Sequence, residues 1–262
     1  MRPPSAIRVS ALVLMLALPL LAAKPAAARS LEAIKTRGTI ALCAHPNALP
    51  YSSKAATPPG FQIELAGAIA ERLGVALTRN WVVQGTHIRI ADCDILLDTI
   101  ADREAQEETG LSVSKPYQHS GVILAVRGDN DTIKSVEDLG DKRVGVQVSS
   151  TAAMMLNGRG VHTVPDLFED ELLSLLAKNA IDAAAVTPTS VEYFNQTHTD
   201  KKLRVLDAFA GEAALNWNVG VGMYRPDTEL RAAIDAAMDQ IKADGTMKTI
   251  YAHYGIEMRD PK

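Results

Sequence analysis

The sequence predicts an α/β fold built as two lobes joined by strands. Two observations carry that prediction. Short apolar runs of strand length alternate with amphipathic stretches of helical period, the pattern of strands linked by helices in a largely parallel sheet. The rhythm then runs a second time, with neither a low-complexity linker nor an internal repeat between the passes. A third observation concerns function. Four short polar segments, 45–51, 98–103, 149–151 and 187–189, each follow a strand, where α/β folds place their ligands.

The elements follow in order. Residues 1–28 read as a cleavable leader. Arg2 and Arg8 supply positive charge, Ala11 to Ala22 is an apolar run too short for comfortable spanning, and Ala26-Ala27-Ala28 offers small residues for a cut after Ala28. Thr39 to Cys43 is a buried strand, and Phe61 to Leu73 an amphipathic helix stopped by Gly74. Val75 to Trp81, Asp94 to Leu97 and Val122 to Val126 are strands. In the second pass Ser135 caps a helical turn to Leu139, Arg143 to Val148 is a strand, and Thr151 to Asn157 a helix entered from Ser149 and Ser150. Glu169 to Asn179 is an amphipathic helix, Ile181 to Val186 a buried strand, and Val205–Leu206 and Trp217 to Met223 are further strands. Leu230, Ile234, Ala237, Met238 and Ile241 form one stripe of a helix from Thr228 to Asp244, and a last helix runs from Thr246 to Tyr254.

Composition excludes several function classes. Removing the leader's Arg2, Arg8 and Lys24 leaves 24 basic against 31 acidic residues, a net charge of −7. A mildly acidic chain with dispersed charge lacks the basic face that nucleic acid requires. The expected location is the periplasm, with no lipid-attachment cysteine near the leader. Only Cys43 and Cys93 are present. Export invites a disulfide between them. With equal strand ends, however, Cys43 falls opposite Leu97 or Asp98, several residues from Cys93 and out of reach at ~3.3 Å per residue. The pairing therefore stays open, and needs Cys93 to lie in a reshaped loop.

Candidate binding residues come from the post-strand segments. They are His45, Asn47 and Tyr51; Asp98, Thr99 and Arg103; Ser149, Ser150 and Thr151; and Thr187 and Thr189, with Tyr117 and Trp217 as aromatic walls. No cofactor or metal is expected. None of the six histidines stands at ligand spacing with another His or Cys, and Asp92 and Asp94 around Cys93 are not a calcium loop. No nucleophile elbow, phosphate loop or dinucleotide fingerprint occurs. Asp98 and Asp102 beside Arg103 are a weak acid–base pair, so an enzyme is not expected.

Five ordered segments, GTIALCAHPNALPYS, GFQIELAGAIAERLGV, SKPYQHSGVILAV, SVEDLGDKRVGVQVSST and DGTMKTIYAHYG, resemble the family 3, type II periplasmic solute-binding proteins of the polar amino acid cluster. The resemblance implies lobe one at 29–121, lobe two at 122–217, a return to lobe one at 218–262, and hinge strands near 122–127 and 211–218. It also implies a ligand clamp that this chain lacks. In amino-acid-binding members an arginine shortly before the Ser-x-Pro-Tyr segment holds the ligand carboxylate. The matching position is Glu107, with Arg103 one turn earlier. The amine-binding aspartate of lobe two is replaced by Thr187, and the small donor pair is Ser149-Ser150. A zwitterion would be desolvated without compensation, so the usual α-amino acid is not expected as ligand.

CAHPNALPYS, Cys93-Asp94 and SKPYQHSG also resemble a narrower group, the accessory J proteins found with PQQ-dependent methanol dehydrogenases. That resemblance implies a protein that assists or activates a periplasmic quinoprotein dehydrogenase; under either reading the chain is expected to be a monomer. The alternative is the receptor of an ABC importer, partnered by its permease, for a small polar solute other than an α-amino acid.

Overall fold

The computed structural model describes residues 29–83 and 91–262. The expected leader at 1–28 lies outside the described residues, as does His87. Lobe one opens with α1 (Leu31–Arg37), whose cap Ser30 accepts from the Ala33 amide and which ends at Gly38. Then come β1 (Thr39–Ala44), a small hairpin of β2 (Asn47–Ala48) and β3 (Ser52–Ser53), α2 (Phe61–Leu73), β4 (Ala76–Trp81), β5 (Ile95–Ile100), α3 (Arg103–Thr109), β6 (Leu111–Val113) and β7 (Gln118–Gly121). Lobe two holds β8 (Ile123–Arg127), β9 (Arg143–Gln147), α4 (Thr151–Gly158), β10 (His162–Asp166), α5 (Glu169–Ala177), β11 (Ala183–Val186), α6 (Pro188–Thr197) and β12 (Leu203–Leu206). The chain returns through β13 (Asn216–Tyr224), α7 (Thr228–Ala243) and α8 (Thr246–His253).

The fold is a two-lobed α/β structure with two sheets. The first runs β4-β1-β5-β13-β6, with β7 also paired to β13; the second runs β10-β9-β11-β8-β12. Both are mixed rather than largely parallel. The reason is that each crossing strand enters its sheet against the local direction: β13 is antiparallel to β5, β6 and β7, and β8 to β11 and β12. The apolar faces of α2, α7 and α8 close on the first sheet around Leu42, Phe61, Ile69, Ile95, Ile234 and Tyr251. The second sheet buries Leu124, Val144 and Leu156 on one face and Leu172, Leu176 and Phe194 on the other.

The chain passes between the sheets twice at one place. Asn216 pairs with Gly121 in the first sheet, the Val122 amide donates to the Leu215 carbonyl at 2.8 Å, and Ile123 then pairs with Val186 in the second. A Cβ at Gly121 would meet the Leu215 carbonyl oxygen at 2.5 Å, so the two crossing strands approach closely only because that residue is glycine. The remainder of 122–127 belongs to the second sheet.

Cys43 and Cys93 are joined, with Cα atoms 5.3 Å apart. The equal-ends register that separates them does not hold. Leu42 pairs with Ile95, and Asp92, at φ 52°, turns the approach to β5 so that Cys93 precedes the strand and sits over Cys43. The next residue, Asp94, is 1% exposed and meets Arg29 Nη1 at 2.9 Å, Arg37 Nη2 at 2.5 Å and the Ala41 amide at 2.7 Å. This buried carboxylate is therefore held by two guanidinium groups and a backbone donor, which fastens the N-terminal segment to the first sheet. No helix among the described residues is long and apolar enough to cross a membrane.

Candidate functional site in the interlobe cleft

The lobes touch across a cleft. Tyr51 of lobe one and Thr187 of lobe two share a hydrogen bond of 2.7 Å between hydroxyls, and the rings of His45 and Phe168 stand 5.6 Å apart. Arg259, in the C-terminal segment, pairs with Glu192 of α6. Two cavities lie beside the Tyr51–Thr187 contact and share Tyr51, Asp98 and Thr187 as lining. One, of about 190 Å³, is walled by Phe61, Ile100, Val219, Tyr251 and Ile256, with Ser120, Thr189 and Trp217 at its polar side. The other, of about 270 Å³, is lined by Gln62, Gln147, Phe168, Glu169, Asp170 and Ser190 among others. Among the described residues no lysine, arginine or histidine lines either cavity.

Asp98 owes its place to a β-bulge. Gly220 pairs with Thr99 and Gly222 with Leu96, so Leu97 and Asp98 face the single residue Val221, and Asp98 takes φ 52°. A bulge re-aims a side chain, and aspartate is among the non-glycine residues that tolerate this conformation. Its carboxylate accepts from Gln62 Nε2 at 2.8 Å and from the Tyr117 hydroxyl at 2.9 Å, while its own amide donates to the Tyr117 hydroxyl at 2.8 Å. Burial pushes the Asp98 pKa up, and the two hydrogen bonds oppose that rise only in part.

Glu169 opens α5 from the other lobe. Its carboxylate accepts from the Thr187 amide at 2.9 Å, the Thr187 hydroxyl at 2.6 Å and the Ser190 hydroxyl at 2.5 Å. Its pKa too is raised by burial against the pull of these donors. Tyr51 stands between the two acids. Its pKa rises through burial first and the Glu169 charge second, so it stays a neutral hydroxyl at any working pH.

The sequence-derived candidates divide. Tyr51, Asp98, Thr187, Thr189 and Trp217 line the cavities. His45 touches the cleft through Phe168, while its Nδ1 accepts from the Asn47 amide at 3.1 Å; Asn47 itself is exposed. Tyr117 is 1% exposed and lies behind Asp98 rather than in the lining. Thr99 bonds the Leu96 carbonyl and abuts Gly222. Ser150 caps α4 by accepting from the Ala153 amide at 3.1 Å, and Ser149 and Thr151 are exposed; none of the three lines the cavities. Arg103 leaves the cleft altogether. Its side chain is 91% exposed and pairs with Glu107 one turn along α3, a helix capped by Asp102.

Gln62, Gln118, Ser120, Phe168, Glu169, Asp170 and Ser190 were not anticipated. Glu169 follows β10, an edge strand whose HTVPD sequence, with proline inside it, carries no apolar alternation. Once that strand is known, the rule that sites follow strands points to Leu167–Asp170.

Two α/β lobes, two crossing strands and a buried polar cleft between them define a two-lobed binding protein of type II. The chain belongs to the bacterial extracellular solute-binding proteins, family 3, whose model matches residues 40–257. The lysine/arginine/ornithine-binding periplasmic protein of Escherichia coli (strain K12) is 26% identical over 257 residues, covering 92% of this chain and 95% of that protein. Membrane-bound lytic murein transglycosylase F of Desulfosudis oleivorans is 27% identical over 236 residues, 86% of this chain, but the match spans only 50% of the transglycosylase's length. Among solved structures, an ancestral arginine-binding protein bound to arginine superposes with a TM-score of 0.67 at 25% identity, covering 83% of this chain and 98% of that one. The narrower dehydrogenase-linked group gains no support from these relatives. An extracellular family and a bonded cysteine pair agree with an oxidising compartment.

Proposed function

We propose that this chain is the substrate-binding receptor of an ABC importer, working with a permease in the periplasm, and that its solute is small and polar but not a standard α-amino acid. Family membership and the binding-protein relatives support the receptor role. One observation carries the limit on the solute: among the described residues the cavities are lined by the carboxylates of Asp98, Glu169 and Asp170 and by no guanidinium or ammonium, while Arg103, five residues after Asp98, faces solvent. An α-carboxylate brought against Asp98 and Glu169 would be desolvated beside like charge. The chain is read as a binder without catalysis, and the transglycosylase likeness covers only part of that longer protein.

The dehydrogenase-accessory reading keeps the resemblance of three short segments as its support and is the weaker of the two. A thermal-shift screen of the mature chain against amino acids, amines, sugars and organic acids tests the receptor reading, since a solute that binds only the folded form raises the melting temperature. A shift with a non-amino-acid solute, and coupling of that solute to permease-dependent uptake, is expected. No shift with any solute, together with an alcohol dehydrogenase whose activity depends on this chain, would overturn it.

A further inference from the structure

The cavities differ in what they leave unanswered. The larger one is lined by Asp98, Glu169 and Asp170 together with Phe168 and Tyr51, and by no cation among the described residues. In the smaller one Thr189 lines the wall and is 8% exposed, and its hydroxyl has no hydrogen-bond partner among the described residues. The Ser120 hydroxyl and the Trp217 indole N–H also have no partner among the described residues, and all three residues line the same cavity. The indole can only donate, and a hydroxyl can donate or accept. That wall therefore suits a neutral group that accepts from the indole and exchanges hydrogen bonds with hydroxyls. The acidic wall suits a group that donates several hydrogen bonds and carries positive charge.

We propose that the cleft takes a small amino alcohol: a primary ammonium group seated among Asp98, Glu169 and Asp170, and an uncharged hydroxyl reaching Thr189, Ser120 and Trp217. This rests on the receptor reading and narrows it to a ligand class. A carboxylate at either end has no counter-charge to meet. A primary ammonium with three donors matches a wall of acceptors better than a quaternary one, which has none. The aromatic faces of Tyr51 and Phe168 add attraction for a cation. The aliphatic spacer lies against Phe61, Ile100, Val219 and Ile256. Both lobes hold the ammonium, Asp98 from one and Glu169 from the other, so the ligand ties them together.

The test is calorimetric titration of the mature chain with 4-aminobutan-1-ol, n-butylamine, 4-aminobutyrate, L-arginine and L-glutamine. The amino alcohol is expected to bind most tightly and n-butylamine more weakly. The three carboxylate-bearing probes, 4-aminobutyrate above all because it differs only at the hydroxyl end, are expected to bind at least tenfold more weakly than the amino alcohol. Glu169→Gln and Asp98→Asn are each expected to weaken the amino alcohol by roughly tenfold or more, and Thr189→Val to weaken it while sparing n-butylamine. Equal or tighter binding of 4-aminobutyrate or an α-amino acid overturns the proposal. So does binding of a sugar or organic acid alone in the wider screen, which leaves the receptor role intact. Silence from every solute class removes this proposal, and together with a dehydrogenase that depends on this chain it removes the receptor role as well. The wild-type ranking stands by itself if a variant fails to fold.

Discussion

Asp94 and Asp98 lie four residues apart on one stretch of chain; the first is buried and the second half-buried. Asp94 meets two arginines and a backbone amide. Asp98 meets an amide side chain and a phenol, and no cation among the described residues pairs with it. Glu169 repeats the Asp98 pattern from the opposite lobe. The difference separates two uses of a buried acid. Where the cation is built into the chain, the carboxylate serves the fold. Where only neutral donors are built in, the charge is held in place but not compensated, which suits an acid that meets its cation in a ligand.

The comparison can be broken in four ways, from the largest effect to the smallest. Asp94→Ala leaves two guanidinium groups and the Ala41 amide without their partner. It is expected to cost about 3–5 kcal/mol, and to lower the melting temperature on the order of 10 °C in a chain of this size, as read by calorimetry. If the loss is under ~1 kcal/mol, Asp94 is not the anchor described. Removing the neighbouring bridge with Cys43→Ala and Cys93→Ala frees a separation of 50 residues. It should cost about 2–4 kcal/mol by chemical denaturation.

Asp98→Asn and Glu169→Gln should behave oppositely to Asp94→Ala. Gln62 can turn its amide, and the hydroxyls of Thr187 and Ser190 can rotate, to meet a neutral isostere. Little stability is therefore lost, and the sign depends on pH. Both acids have raised pKa values, so the folded chain binds their protons more tightly than the unfolded chain does. Wild-type stability then falls as pH rises from the ordinary carboxylate range, ~4, through the raised values. Each variant removes part of that fall, so its stability relative to wild type should grow between pH 4 and pH 8. A difference that is flat with pH would mean that the acid is not strained by burial. Last, Arg103→Ala should change neither melting temperature nor solute binding measurably, because its pair with Glu107 is exposed. A lost affinity would return Arg103 to the cleft.

Much of the fold was legible in the sequence. Phe61–Leu73 carries its period and its Gly74 stop, and Thr228–Ala243 its apolar stripe, because those helices bury one face and expose the other. Pro188–Thr197 was missed because its buried residues, Pro188, Thr189, Ser190, Val191 and Phe194, include two hydroxyls, so burial there does not read as hydrophobicity. The parallel sheet was over-read, since nothing local in Ile123–Arg127 or Asn216–Tyr224 records the direction of a neighbouring strand. In the cleft, Tyr51, Asp98, Thr187 and Thr189 were found by position after a strand. Glu169 was not, because the strand that places it is an edge strand broken by proline.

By itself the sequence determined most of the longer strands and helices and the presence of two α/β passes. These depend on periodicity and residue type, which are local. The tertiary structure alone decided which acid meets which charge. The arginines that neutralise Asp94 come from 57 and 65 residues away, and the bulge that turns Asp98 toward the cleft is set by its pairing with β13. Electrostatic compensation acts through distance in space, and distance along the chain does not encode it.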